Sequence, residues 1–221
     1  MLFNTSPEKT TPIKVKICGL KEVETALYCA EQGVDAIGLM FYPHSHRFIP
    51  VTTAQRIASA VSQRTDVIGV FVNPSTEEVT KVMAEVPLTG LQFHGDESVE
   101  FCRQWSLPWL KAIRVGNQDN LQKELTIWQQ AFACILDATQ PGLYGGSGKT
   151  FNWSLIPKKQ QSSIILAGGL NAENVAKAMI QVAPFALDIS SGAENTDGNK
   201  SKQKIHRLMQ EINSVRYKNC S

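Results

Sequence analysis

A lone cysteine ends the apolar run Lys14-Val15-Lys16-Ile17-Cys18, and Gly19-Leu20-Lys21 then breaks the strand pattern and leads into a helical one. That order sets the Cys18 thiol at the C-terminal end of a strand, where ligands gather in α/β proteins and a thiol can meet a substrate. A buried structural thiol is the ordinary alternative for an isolated cysteine. Asp137 closes a second apolar run, Cys134-Ile135-Leu136-Asp137, just before a long loop. It either anchors that loop or, partly buried, keeps its proton and serves as a general acid.

Two further side chains sit in loops after apolar runs. Arg47, within Tyr42-Pro43-His44-Ser45-His46-Arg47-Phe48-Ile49, offers a planar fork for a carboxylate or phosphate, or else is a solvated surface arginine. His94, within Gln92-Phe93-His94-Gly95-Asp96-Glu97, either hydrogen-bonds a substrate or serves as a structural partner. Near the C-terminus, Ala167-Gly168-Gly169-Leu170 and Ser190-Ser191-Gly192-Ala193-Glu194 are short turns of small residues. Any tight turn uses Gly and Ser, but two such turns after the seventh and eighth strands place backbone N–H groups where barrels often hold phosphate.

Other chemistries are excluded by spacing. Gly148-Lys149-Thr150 resembles the end of a P-loop, yet the glycine required five positions earlier is Leu143, and no long helix pattern follows Thr150. His44, His46 and Asp96 lie in separate loops without an H-x-x-x-H pair, so no metal site is expected. The five cysteines, Cys18, Cys29, Cys102, Cys134 and Cys220, are odd in number and widely spaced, without a C-x-x-C pair. They read as free thiols of a reducing compartment.

The elements that must position these residues recur regularly. Apolar strand-like runs lie at Val15–Cys18, Ala36–Phe41, Val67–Val72, Leu88–Phe93, Trp109–Val115, Cys134–Asp137, Ile164–Ala167 and Phe185–Ile189. Helical spacing fills most of the intervals: Glu22–Gln32, Thr53–Val61, Ser75–Ala84, Ser98–Trp105, Asn120–Gln130, Asn171–Ile180 and Lys200–Ser214. Helix starts are expected at Pro74-Ser75-Thr76-Glu77-Glu78 and at Asn171-Ala172-Glu173-Asn174. Eight strand–helix units of about 25 residues predict a single (β/α)8 barrel of parallel strands over 14–221, with an open doubly wound sheet as the alternative. The sixth unit departs from the pattern. A Gly-rich loop over 138–150, of the kind that forms lids or ligand loops, precedes a helix cut short by Pro157.

The chain has 221 residues, enough for one such domain, and its 22 Lys+Arg against 20 Asp+Glu are scattered rather than gathered into the basic face a nucleic-acid binder needs. Residues 1–13 are polar, lack an apolar h-region, and are expected to be a flexible extension. No stretch approaches about 18 consecutive apolar residues, so no membrane contact is expected and the chain reads as cytoplasmic.

Taken together, Lys16-Ile17-Cys18-Gly19-Leu20, Gly69-Val70-Phe71-Val72-Asn73, Gln92-Phe93-His94-Gly95-Asp96-Glu97, Gly146-Ser147-Gly148-Lys149-Thr150-Phe151-Asn152-Trp153, Ala167-Gly168-Gly169-Leu170 and Asp188-Ile189-Ser190-Ser191-Gly192-Ala193-Glu194 resemble, in sequence and order, the phosphoribosylanthranilate isomerase family of tryptophan biosynthesis. The resemblance implies a cofactor-free Amadori rearrangement of N-(5-phosphoribosyl)anthranilate, with Cys18 as general base and Asp137 as general acid. It further implies Arg47 on the anthranilate carboxylate, and phosphate held by the backbone around Gly168, Gly169, Ser190, Ser191 and Gly192. Such a base works best with a lowered pKa, for which Lys16 is a candidate neighbour if the strand is regular. Ala193 stands where the family more often has valine, and Asn152 where it commonly has aspartate. The alternatives are a different phosphosugar enzyme, which would need another acid/base set, or a catalytically silent phosphosugar-binding barrel. A small phosphosugar is the expected partner, and the chain is expected to be a monomer or homodimer.

Overall fold

A computed structural model describes residues 1–4, 7, 12–61, 63–115, 118–138 and 150–218. The Gly-rich loop from 139 to 149 and Cys220 therefore lie outside the described residues. Eight strands, β1 (Lys14–Cys18), β2 (Ala36–Met40), β3 (Asp66–Phe71), β4 (Gly90–Phe93), β5 (Trp109–Val115), β6 (Ala133–Ala138), β7 (Ile164–Leu166) and β8 (Ala186–Ile189), pair in parallel with their sequence neighbours. Pairing of β8 with β1 closes the barrel, which excludes the open sheet. Seven α-helices cover it: α1 (Val23–Glu31), α2 (Val51–Val61), α3 (Thr76–Glu85), α4 (Val99–Arg103), α5 (Gln118–Ile127), α6 (Val175–Val182) and α7 (Lys202–Lys218). The expected short helix of unit six is two 3₁₀ turns, Trp153–Leu155 and Lys158–Ser163.

Strand alternation divides the apolar residues into two sets. Ile17, Ile37, Leu39, Val67, Leu91, Ile113, Leu136, Leu166 and Leu187 pack outward with the helices in one continuous core. Ala36, Ile68, Leu110, Ile135, Ile165 and Ala186 form a second cluster that fills the barrel's base. Above it the inward positions turn polar, beginning with Lys16 and Asp188, which lie level with each other across β1 and β8. The barrel is thus a plugged cylinder with chemistry only at its C-terminal end.

Local chemistry sets the helix starts. Ser75 opens α3 with a capping box: its hydroxyl accepts from Glu78 N–H at 3.2 Å and its own N–H donates to Glu78 Oε2 at 2.7 Å. Ser98 caps α4, which ends at Arg103 rather than at Trp105. The start expected at Asn171 moves to Val175, because Asn171 Oδ1 accepts from the N–H groups of Glu173 and Asn174 in a local turn. Asn174 is then free to bind Gly169 O through Nδ2 at 2.9 Å, tying the turn after β7 to the foot of α6.

Within the extension expected over residues 1–13, the first three residues pack against the barrel. Leu2 is fully buried within the base cluster, and the N–H groups of Leu2 and Phe3 donate to Asp66 Oδ2 at 2.5 and 3.1 Å. Phe3 packs edge-on against Phe132 with ring centroids 4.9 Å apart. Two large apolar side chains, together with a buried carboxylate that needs donors, hold Leu2 and Phe3 in place.

Candidate active site

Cys18 and Lys16 both face the barrel interior, because β1 is regular and its residues two apart share a face. Gly38 on β2 makes the room: a Cβ there would lie 2.7 Å from Cys18 Sγ and 3.2 Å from Lys16 Nζ. Lys16 Nζ sits 2.9 Å from both oxygens of Asp188, and its charge acts on the neighbouring thiol of Cys18. Burial alone would strip Lys16 of its proton, but the charges of Asp188 and Cys18 raise its pKa, so it stays an ammonium. For Cys18, burial dominates and pushes the thiol up from its ordinary value; Lys16 and Lys200 oppose this and Asp188 adds to it. The lowered pKa expected for a base is therefore not what the unliganded site provides: the cation beside the thiol only partly offsets desolvation.

Asp137 ends β6 on the same interior face. Its Oδ1 accepts from Ala138 N–H at 2.8 Å, and its Oδ2 lies 3.6 Å from His94 Nε2. The other ring nitrogen of His94 meets Gln92 Nε2 at 3.3 Å. With that amide as donor to Nδ1, the neutral ring carries its proton on Nε2, facing the carboxylate. His94 is held from outside the barrel, since Glu97 takes the N–H groups of Asn73 and Gly95 and pairs with buried Lys111 at 2.6 Å. Its contact is thus with Asp137, and it is brought into the site as the neighbour of the acid.

Arg47 is buried, which discards the solvated alternative. Its Nε and Nη2 donate to Glu194 Oε1 and Oε2 at 2.6 and 3.0 Å, and Lys200 Nζ reaches Glu194 Oε1 at 2.6 Å. Burial works to raise the pKa of Glu194, but the hydrogen bonds and charges of Arg47 and Lys200 carry it down to about 2. Burial likewise lowers the pKa of Lys200, against the pull of Glu194.

The turns after β7 and β8 lean on each other. Gly168 has φ +82°, and a Cβ there would meet Ala138 N at 2.8 Å and Asp137 Oδ1 at 3.1 Å. At Gly192 a Cβ would lie 1.9 Å from Leu170 O. Ser191 and Gly192 begin a 3₁₀ turn (Ser191–Ala193), so their N–H groups have no partner within it and are available to an anion. Ser190 Oγ donates to Cys18 O at 3.1 Å, fixing the β8 turn to the strand that carries the thiol.

One cleft is lined by Cys18, Met40, Arg47, Gln92, His94, Asp137, Gly168, Gly169, Asp188, Ser190 and Ser191. A second cavity of about 330 Å³, lined by Gly169, Ser191, Gly192, Lys204 and Arg207 among others, continues from it on the far side of the two turns. Every residue expected from the sequence except Gly192 lines this cleft, and Gly192 lines the second cavity. Asp188, Glu194 and Lys200 were not picked out as functional groups. For Asp188 the signal was present: Lys16 and Asp188 each place a charge inside a strand otherwise built of buried apolar residues, and such charges require each other. Glu194 and Lys200 gave no comparable signal, since one closes a small-residue turn and the other opens a stretch of helical spacing, where charged residues are ordinary.

Comparison with known proteins places these features in context. Residues 15–211 match the family model for N-(5'-phosphoribosyl)anthranilate isomerase. The enzyme of that name from Stutzerimonas stutzeri is 41% identical over 203 residues, 92% of this chain and 98% of that protein. The crystal structure of phosphoribosyl anthranilate isomerase from Thermotoga maritima superimposes with a TM-score of 0.83 at 38% identity, covering 91% of this chain and 99% of that one. A further structure, of such an isomerase in complex with reduced 1-(o-carboxyphenylamino)-1-deoxyribulose 5-phosphate, gives 0.81 at 34% identity over the same shares.

Proposed function

The chain belongs to the N-(5'-phosphoribosyl)anthranilate isomerase family, and on that premise we propose which of its residues convert N-(5-phospho-β-D-ribosyl)anthranilate into 1-(2-carboxyphenylamino)-1-deoxy-D-ribulose 5-phosphate: Cys18 as base and Asp137 as acid. The reaction is an isomerisation of tryptophan biosynthesis that begins with two proton transfers, one to the ring oxygen and one from C2. Asp137 gives its proton to the ribose ring oxygen as the amine nitrogen's lone pair opens the ring to a protonated Schiff base. The C=N bond acidifies the C2 proton, which Cys18 removes as thiolate while the electron pair returns to nitrogen. The resulting enolamine gains a proton at C1 and loses one from the C2 hydroxyl to give the ketose, which restores both groups.

The observation that carries this reading is that Cys18 and Asp137, 119 positions apart in the numbering of the chain, line one cleft together with Arg47 and the two Gly-Ser turns. Lys16 supplies the thiolate with a counter-charge, itself held by Asp188. Arg47 meets the anthranilate carboxylate, and Gly168, Gly169, Ser190, Ser191 and Gly192 receive the phosphate. The same reading takes the chain as a cytoplasmic monomer or homodimer. In support, no helix among the described residues is long and apolar enough to cross a membrane.

Loss of anthranilate fluorescence with freshly generated substrate tests the assignment. Cys18→Ser and Asp137→Asn are each expected to reduce turnover by at least about a hundredfold, the scale of losing a general base or acid, with unfolding curves unchanged. Turnover within a few-fold of the wild type in either folded variant removes that residue from the chemistry.

A further inference from the structure

We propose that Glu194 is a positioning residue for this reaction: it holds Arg47 by one edge of the guanidinium so that the other edge meets the substrate carboxylate, and through Lys200 it ties that end of the site to the phosphate turn. The inference rests on the reading of Arg47 given above and goes beyond it, because it assigns the specificity for the carboxylate to a buried three-residue cluster.

A guanidinium has five N–H donors in a rigid plane. Glu194 accepts from Nε and Nη2, the side edge, which leaves both hydrogens of Nη1 and the second of Nη2 as an end-on fork for another carboxylate. The stem is fixed as well: it lies against Gly19, where a Cβ would sit 2.5 Å from Arg47 Cδ, directly beside Cys18. Arg47 therefore has one available pose.

Charge explains why a carboxylate is recruited. Arg47, Glu194 and Lys200 are all nearly inaccessible to water, with side-chain exposures of 8%, 8% and 2%. Two cations against one carboxylate leave a buried positive charge without a partner, a costly arrangement that an arriving anion relieves.

The link to the phosphate turn runs through Lys200. The ammonium that binds Glu194 Oε1 also donates to Ser190 O at 3.0 Å, while Ser190 Oγ donates to Cys18 O. The carboxylate fork, the phosphate turn and the strand bearing the thiol are thus joined by consecutive hydrogen bonds. A shift of Glu194 moves the two substrate anchors relative to each other.

The test measures kcat and KM for Glu194→Gln, Glu194→Asp, Arg47→Ala and Arg47→Ala/Glu194→Gln, with phosphoribosylanthranilate and with its aniline counterpart, which lacks the carboxylate. Glu194→Gln removes the cluster's only negative charge, which by itself would favour the carboxylate, but the loss of the fixed guanidinium pose should outweigh this and raise KM about tenfold for the carboxylate substrate, with kcat changed less than threefold and little effect on the aniline compound. The double variant should be no worse than Arg47→Ala, since the two residues act through one contact. Glu194→Asp keeps the charge and should recover part of the loss, and it serves as the readout if the Gln variant does not fold. If Arg47→Ala raises KM but both Glu194 variants behave as wild type, or if they weaken both substrates equally, the inference is wrong. An unchanged KM in Arg47→Ala overturns the reading of Arg47, and this inference with it.

Discussion

At the scale of single residues, the site is organised around a thiol in a place that disfavours its charge. Cys18 has the Lys16 cation beside it and is still pushed above an ordinary cysteine, because burial outweighs Lys16. In the unliganded protein the thiolate is therefore scarce near neutrality and grows with pH through a region above that of a free thiol. The other described cysteines cannot compete for reagents: Cys29, Cys102 and Cys134 are buried and pushed up to about 12 by desolvation. Iodoacetamide should accordingly modify Cys18 before these three, with a rate still rising at pH 9. Mass-spectrometric labelling across pH 6 to about 10 checks this, and a rate that levels off below pH 8 would show that Lys16 dominates instead.

At the scale of elements, the two turns that end units seven and eight act as one part. Gly192 touches Leu170 O so closely that any side chain must separate them, and Asn174 holds Gly169 O from below. Gly192→Ala should weaken inhibition by ribulose 5-phosphate at least about tenfold, through displaced N–H donors, while the barrel still folds. Equal inhibition constants in the two proteins would place the phosphate elsewhere. This contact also shows where sequence legibility stops. The eight strands were readable because each is largely apolar and covered on both faces, and Cys18, Asp137, Arg47 and the two small-residue turns because each lies at or after a strand's C-terminal end. The pairing of Arg47 with Glu194 was not, since 147 positions separate them and only closure of the barrel brings β2 and β8 to the same rim. The late start of α6 at Val175 was decided by local hydrogen bonding that apolar periodicity does not encode.

At the scale of the whole molecule, the barrel keeps its two ends for different tasks. The C-terminal rim carries buried charge, which costs stability, and the base is a dry apolar layer that offsets it. Leu2 completes that layer from outside the strands: it is inaccessible to water, packed with Ile68, Leu110 and Ile135, and its N–H satisfies Asp66, itself 3% exposed. Leu2 is therefore a stopper for the base. Leu2→Ala should cost about 2 to 4 kcal/mol, as for other buried leucines, and lower the melting temperature by roughly 5 to 15 °C in a chain of this size. Because the stopper and the site lie at opposite ends, kcat/KM at 25 °C should stay within twofold of the wild type. A thermal scan paired with the fluorescence assay separates the two effects. An unshifted melting curve would mean that the base closes without Leu2, whereas a loss of activity in the folded variant would mean that the two ends of the barrel are coupled.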